Sequence, residues 1–355
     1  MTIAIKYGAL VDEKLVDEEG NLAARGSGGA LVERLLKIFP ESCLVGYEDM
    51  KAKGFEVKRI TSLDPVSDLV INLDVMDSVG SFQILHRHGA EPKIMNLQWL
   101  PPRHYHHRVN FAALGLSYAL FPTLCAGERT ASEVTELCHR WGSPAIREKA
   151  PISWFYPGVR DDLVQPHRGA EIPTVLYPTI HVSEDKQPRV FMAIVAEVAT
   201  RMELRMEASL AERELVSMAA MRMSSHSWTH VGPVFGRREN YWESLSQMTA
   251  FLSTAREEAY SLEYLEALLA GVVGVLPRRE WVKGVVPDAY PYLYGSEEEA
   301  ADMLEEVLRD PQAAQARVDE ASGGSIRDWI LTHHARSAGN KAIQEKVRDW
   351  FPEVF

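Results

Sequence analysis

The chain has 355 residues, of which 46% are hydrophobic and 25% charged, a composition typical of a soluble globular protein. This length suggests two domains of ordinary size, each able to bury its own core. The formal net charge of −12 argues against broad electrostatic adhesion to nucleic acid or to an anionic membrane, although it leaves room for a local basic groove.

The cysteines indicate a reducing compartment. Cys43, Cys125 and Cys138 have no metal-ligand spacing and cannot all pair with one another. The sequence shows no secretory signal and no apolar run of the roughly 18 residues that a membrane-spanning helix needs. We therefore expect a cytoplasmic protein.

A glycine-rich helix start follows the first predicted strand, residues 3–10. Gly26, Gly28 and Gly29 open that helix, where glycines let a ligand approach the backbone and leave N–H groups free for phosphate or sugar oxygens. A flexible surface turn is the alternative. The spacing differs from the G-x-G-x-x-G of dinucleotide-binding folds, which disfavours an NAD-dependent dehydrogenase.

Four further strands are predicted in the first half of the chain, at residues 68–73, 93–97, 117–121 and 152–156. Their alternation with helical segments indicates an α/β fold whose parallel sheet is covered on both faces. Ligands of such sheets bind beyond the carboxyl ends of the strands.

The loop after residues 93–97 is rich in aromatic side chains and hydrogen-bond donors. Gln98, Trp99, His104 and His106 are candidates for binding an acceptor, because such groups recognise sugars and bases by stacking and hydrogen bonding. A polar loop without function is the alternative. No histidine pair in this loop has the i, i+4 spacing and the glutamate of a zinc-binding helix, so we predict no metal site.

A helix between two short strands, residues 248–252 and 272–276, is predicted where the apolar period changes from two to about 3.6. Gly271 is expected to cap this helix. Glu266 falls at the edge of its apolar stripe, where a buried carboxylate requires a hydrogen-bonding partner. Glu258 lies at the helix entrance, where free N–H groups and the helix dipole favour anions.

Glu258 and Glu266 form an E-x7-E pair, and the second acid belongs to the run LEALLAG. In both features the sequence resembles the retaining GT-B glycosyltransferases of group 1, the family 4-like enzymes. The resemblance implies an α/β protein with a GT-B fold, in which two Rossmann-like domains face each other across a cleft. It also implies that Glu258 contacts the sugar of a nucleotide-diphosphate sugar donor and that Glu266 holds the ribose. An acidic helix start exposed to solvent is the alternative.

Lys186 precedes a helix predicted to begin at Pro188, an unfavourable place for a cation unless an anion lies beside it. In the resembled family an arginine and a lysine five residues apart grip the donor diphosphate. Lys186 matches the lysine, and His181 stands in place of the arginine. The implied catalytic residues are therefore Glu258, Lys186 and His181. The implied nucleotide-sugar site further contains Glu257, Ser261, Leu262 and the glycine pair Gly28 and Gly29.

The run Pro157-Gly158-Val159, with Asp161, resembles the turn that ends the first domain in this family, while Arg160 departs from the pattern. The sequence thus predicts domains at residues 1–165 and 170–325, with helices in 326–355 that cross back to the first domain. Further strands of the second domain are predicted at residues 174–177, 202–206 and 229–231.

The predicted function is transfer of a sugar from a nucleotide-diphosphate sugar to an acceptor, with retention and with no metal or separate cofactor. A GT-B sugar-nucleotide epimerase and a noncatalytic nucleotide-sugar-binding protein are the alternatives. The acceptor is open among a small molecule, a glycan, a protein and a modified nucleic-acid base.

Overall fold

The computed structural model describes residues 2–7, 16–23, 26–86, 89–104, 107–146, 150–258 and 260–354, with the backbone alone described at 26, 27 and 104. The chain divides into two compact units. The first unit comprises Met1–Pro157 and Ser337–Phe355, and the second comprises Gly158–Arg336. Among the described residues no helix is both long and apolar enough to cross a membrane.

The first unit is built on one sheet. Its strands are β1 (Ile3–Lys6), β2 (Cys43–Gly46), β3 (Met50–Lys51), β4 (Glu56–Arg59), β5 (Leu69–Asn72), β6 (Lys93–Gln98), β7 (Thr123–Ala126) and β8 (Ile152–Phe155). Its helices up to this point are α1 (Gly26–Ile38), α2 (Ser78–His86), α3 (Arg108–Leu120) and α4 (Glu128–Trp141). Within the described residues the strand order is β3-β4-β2-β1-β5-β6-β7-β8, and every neighbouring pair is parallel except β3 with β4.

The strands β5 and β7 of this sheet are buried along their whole length, as expected for a parallel sheet covered on both faces. The strand predicted at residues 117–121 is wrong, because most of that segment is the last turn of α3. Leu114 and Tyr118 lie one turn apart and are both fully buried, so the apolar run has the period of a helix. The strand β7 begins only after Pro122.

The second unit holds a six-stranded sheet within the described residues. Its strands are β9 (Thr174–Tyr177), β10 (Arg205–Leu210), β11 (Thr229–Pro233), β12 (Ala250–Leu252), β13 (Val273–Pro277) and β14 (Leu293–Tyr294). Its helices are α5 (Pro188–Arg201), α6 (Glu212–Leu215), α7 (Met218–Met223), α8 (Arg238–Leu245), α9 (Leu262–Leu269), α10 (Glu297–Arg309), α11 (Pro311–Ala321) and α12 (Ile326–His334). A final helix, α13 (Arg336–Trp350), belongs to the first unit from Ser337 onward.

The second sheet is parallel, in the order β11-β10-β9-β12-β13-β14. The direction of winding reverses between β9 and β12, which makes the carboxyl ends of these two strands the switch point of the sheet. The helix start at Pro188 and the left-handed Gly271 after α9, with φ of 85°, are confirmed. The strand predicted at residues 202–206 lies further along, because Met202 still closes the last turn of α5 through its N–H to Val198.

Candidate functional site

The loops that follow β9 and β12 bring Lys186 and Glu258 into an ion pair at the switch point of the second sheet. Both side chains are largely buried, with 19% of Lys186 and 12% of Glu258 exposed. The Tyr264 hydroxyl donates to Glu258 Oε1 over 2.7 Å, and the Thr254 hydroxyl holds the Lys186 backbone carbonyl over 2.8 Å. The two residues therefore meet although they are 72 positions apart in the chain.

The N-terminus of α9 lies beside this pair. Ser261 is the N-cap residue of α9 and is buried, yet its hydroxyl does not cap the helix and has no hydrogen-bond partner among the described residues. Leu262 is the first residue of the helix. A buried hydroxyl without a partner at a helix N-terminus is suited to an incoming phosphate or sugar oxygen.

A third carboxylate, Glu263, lies in the first turn of α9. Burial raises the pKa of Glu263, its own backbone N–H lowers it, and the Glu258 charge adds to the increase. The charges of Lys186 and His181 lower the pKa of Glu263. The pair Lys186–Glu258 thus lies beside a second carboxylate, that of Glu263.

Glu266 lies inside α9 with only 7% of its side chain exposed, and it forms an ion pair with Arg238 at the start of α8. Arg238 is thus the partner that this buried carboxylate needs. Burial raises the pKa of Glu266 to about 7, which Arg238 partly opposes. The Arg238 side chain is 48% exposed, and its guanidinium carbon lies 4.6 Å from the centre of the Tyr241 ring.

His181 lies in the loop after β9. Its Nδ1 is 3.4 Å from Glu214 Oε1, and its backbone carbonyl accepts a 2.9 Å hydrogen bond from the Tyr177 hydroxyl. Glu257, the predicted residue next to Glu258, is exposed.

Of the residues predicted for the site, the second unit places six at the carboxyl edge of its sheet: Lys186, Glu258, Glu266, Ser261, Leu262 and His181.

The glycine pair belongs to the first unit and lies within the first turn of α1 rather than in a loop ahead of it. A Cβ atom on Gly28 would overlap the Tyr7 hydroxyl oxygen. Gly28 therefore permits close packing of Tyr7, and we expect a larger residue there to disturb folding as well as any ligand.

The acceptor-side candidates also lie in the first unit. Gln98 is the last residue of β6 and is 2% exposed. Both polar atoms of its side-chain amide form hydrogen bonds within the protein. Oε1 accepts a 2.8 Å hydrogen bond from the Tyr118 hydroxyl, and Nε2 donates to the Leu100 carbonyl. Trp99 packs against the core of the unit. The side chain of His104 and the whole of His106 lie outside the described residues.

Arg238, Glu214 and Glu263 were not identified from the sequence. The available signal for Arg238 was a pair of arginines after the glycine that precedes α8. That signal does not indicate which of the 50 acidic residues pairs with Arg238, because Glu266 is 28 positions away. In the described parts of the chain, no group of three or more His, Cys, Asp and Glu side chains could hold a metal ion.

Comparison with solved structures identifies the fold. Sucrose-phosphate synthase from Thermosynechococcus elongatus matches with a TM-score of 0.69 and 12% identity over 99% of both chains. Trehalose 6-phosphate synthase from Burkholderia multivorans matches with a TM-score of 0.66 and 12% identity, over 100% of this chain and 99% of that one. HepE from Anabaena in complex with UDP matches with a TM-score of 0.67 and 12% identity, over 98% and 100% respectively. No family model matches the sequence.

These matches and the two doubly wound units show that the chain has the GT-B fold of glycosyltransferases. At 12% identity the likeness establishes the fold, and the site must carry any further conclusion.

Proposed function

We propose that the protein is a glycosyltransferase that moves a sugar from a nucleotide-diphosphate sugar to an acceptor, with retention and without a metal ion. The observation that carries the proposal is the pairing of Lys186 with Glu258 at the switch point of a GT-B sheet, next to the N-terminus of α9. A buried ion pair is costly to form, which favours a functional reason for it. The match to a protein that binds UDP supports a nucleotide donor.

Lys186 would hold the diphosphate. The lysine now neutralises Glu258, and a bound diphosphate would attract the ammonium more strongly than one carboxylate does. The Ser261 hydroxyl and the backbone N–H groups at the N-terminus of α9 would donate hydrogen bonds to the same anion. As the sugar departs, negative charge builds on the diphosphate, so these groups would stabilise the transition state more than the ground state. His181 would add a hydrogen-bond donor.

The two acids would have separate tasks. Glu258, in the loop, would orient the sugar once Lys186 turns to the diphosphate, while the Tyr264 hydroxyl keeps one of its oxygens in place. Glu266, fixed in α9, would accept hydrogen bonds from the ribose. The acceptor, whether a small molecule, a glycan, a protein or a modified nucleic-acid base, would be bound by the first unit, where Trp99 is a candidate contact.

The test is thermal unfolding with UDP, GDP, ADP or TDP at millimolar concentration in the presence of EDTA. At least one should raise the melting temperature, because a ligand that binds only the native state stabilises it. Lys186→Ala should remove most of that increase, whereas Lys283→Ala, which removes an exposed lysine paired with Glu280, should keep it. If none of the four nucleotides stabilises the wild type, the proposal is wrong.

A noncatalytic nucleotide-sugar-binding protein is the second candidate. It is favoured by His181, which stands where the resembled family has an arginine and whose Nδ1 faces Glu214. Such a protein would bind the nucleotide sugar but would neither hydrolyse it nor transfer the sugar to any acceptor.

A further inference from the structure

The loop that carries Glu258 is attached to a second part of the unit through Tyr260. The Tyr260 hydroxyl oxygen lies 3.2 Å from the backbone nitrogen of Gly158 and 3.1 Å from Nδ1 of His334. The His334 ring is buried, and its centroid lies 5.9 Å from that of Tyr260. None of these contacts is part of the glycosyltransferase roles assigned above.

The direction of the first hydrogen bond follows from the chemistry of the groups. A backbone N–H can only donate, so the Tyr260 oxygen accepts from Gly158. The direction of the second, between the Tyr260 hydroxyl and Nδ1 of His334, depends on which ring nitrogen carries the proton. Burial lowers the pKa of His334 to about 4, so the ring is neutral near pH 7. The Tyr260 hydroxyl therefore links the Gly158 N–H to a neutral His334 ring.

Gly158 and His334 belong to two segments that are joined to each other. The Val159 N–H donates to the His334 carbonyl over 2.8 Å, and Val159 forms a parallel bridge with Ala335. Gly158 has a φ of 80°, and a Cβ there would lie 2.6 Å from the Arg336 Cα, so both its conformation and its packing require glycine. These segments are the places where the chain enters and leaves the second unit.

We propose that Tyr260 is a positioning residue for Glu258. The Tyr260 hydroxyl fixes the loop before α9 to the joined segments at Gly158 and His334. The proposal rests on the glycosyltransferase function. When a diphosphate draws Lys186 away, Glu258 loses the cation that now holds it. An anchor two residues along the same loop then keeps the carboxylate in place for the donor sugar.

The test compares a nucleoside diphosphate with its sugar conjugate. The nucleotide is the one among UDP, GDP, ADP and TDP that stabilises the wild type, and the conjugate carries glucose. Tyr260→Phe removes both hydrogen bonds of the hydroxyl and should weaken binding of the conjugate by about three- to tenfold, which corresponds to the net free energy of about one typical hydrogen bond. It should change the affinity for the nucleotide alone by less than about twofold, because Lys186, Ser261 and Glu266 are untouched.

A double-mutant cycle separates positioning from mere structural support. If Tyr260 acts through Glu258, then Tyr260→Phe combined with Glu258→Gln should bind the conjugate no more weakly than Glu258→Gln alone. Additive losses would overturn the proposal. His334→Asn, which keeps an acceptor near the Nδ1 position, should resemble the wild type, whereas His334→Leu should resemble Tyr260→Phe.

Tyr290→Phe is the matched control. The Tyr290 hydroxyl is buried in the same unit, where it accepts from the Gly274 N–H over 3.1 Å and donates to the Gly274 carbonyl over 2.9 Å. Its loss should lower stability without changing the ratio of the two affinities, and an equal change in that ratio would contradict positioning. If Tyr260→Phe behaves as the wild type, only this inference is wrong. If the wild type binds no nucleoside diphosphate, the proposed function is wrong as well.

Discussion

The two acids of the E-x7-E pair are held in different ways. Glu258 lies in a loop, and both Lys186 and the Tyr264 hydroxyl contact its Oε1 atom from within the protein. Glu266 lies in a helix, and its cation is the half-exposed Arg238 at the start of another helix. Glu258 is therefore paired with a largely buried cation, Lys186. Glu266 is itself buried, but its cation Arg238 is in contact with solvent.

This difference indicates which interaction a ligand can change. A diphosphate that binds Lys186 alters the surroundings of Glu258, so the contacts of Glu258 can differ between the ground state and the transition state. The backbone of Glu266 is fixed by α9, and the ribose it is proposed to bind does not react. Substitutions should therefore separate the two acids by the kind of defect as well as by its size.

The largest expected effect is on the pH dependence of stability. Burial raises the pKa of Glu266 from 4.5 to about 7. As the pH rises through this window the unfolded chain loses its proton before the folded protein does, so this group lowers stability, by at most about 3 kcal/mol. Below the window the carboxyl is protonated in both states and the effect vanishes. Glu266→Gln removes the titration.

The measurement is thermal unfolding of wild type and Glu266→Gln at about pH 5 and about pH 8. The difference between the two melting temperatures, variant minus wild type, should increase as the pH rises. Glu299→Gln, at an exposed position in the first turn of α10, is the control for the loss of one carboxylate. A difference between wild type and Glu266→Gln that stays constant with pH would contradict the burial argument.

The second effect is on turnover. Glu258→Gln should lower kcat for the nucleotide sugar by roughly 30-fold, equivalent to about 2 kcal/mol for a charged hydrogen bond lost in the transition state. The affinity for the free nucleoside diphosphate should change little. Steady-state kinetics of donor hydrolysis or transfer, paired with nucleotide titrations, measures both quantities. Wild-type kcat in a folded variant would remove Glu258 from the mechanism.

The smallest effect is on donor affinity. Glu266→Gln should raise the donor KM by about tenfold at about pH 8, where the carboxylate is ionised, and should leave kcat within about twofold. The ribose is bound similarly before and during the reaction, so its contact contributes equally to both states. If Glu266→Gln lowered kcat as strongly as Glu258→Gln, the two acids would have one task and the comparison would be wrong.

Local sequence determined much of the fold of this protein. Alternating apolar runs and helical periods place β9, α5 and α9 within a few residues of the structure, because each pattern depends on which side chains of one segment face the core. The same reasoning located Lys186 ahead of α5 and showed that Glu266 needs a partner. It failed at residues 117–121, because a short apolar run fits a buried strand and a buried helix equally well.

Tertiary structure alone decided how the polar groups are paired. Lys186 meets Glu258 across 72 positions, Arg238 meets Glu266 across 28, and Tyr260 meets His334 across 74. Packing also turned Gln98 from a candidate contact for an acceptor into a buried link between Tyr118 and Leu100. Periodicity records the burial of a residue along its own segment. The partner of a buried charge depends on which distant segments the sheet order brings beside it.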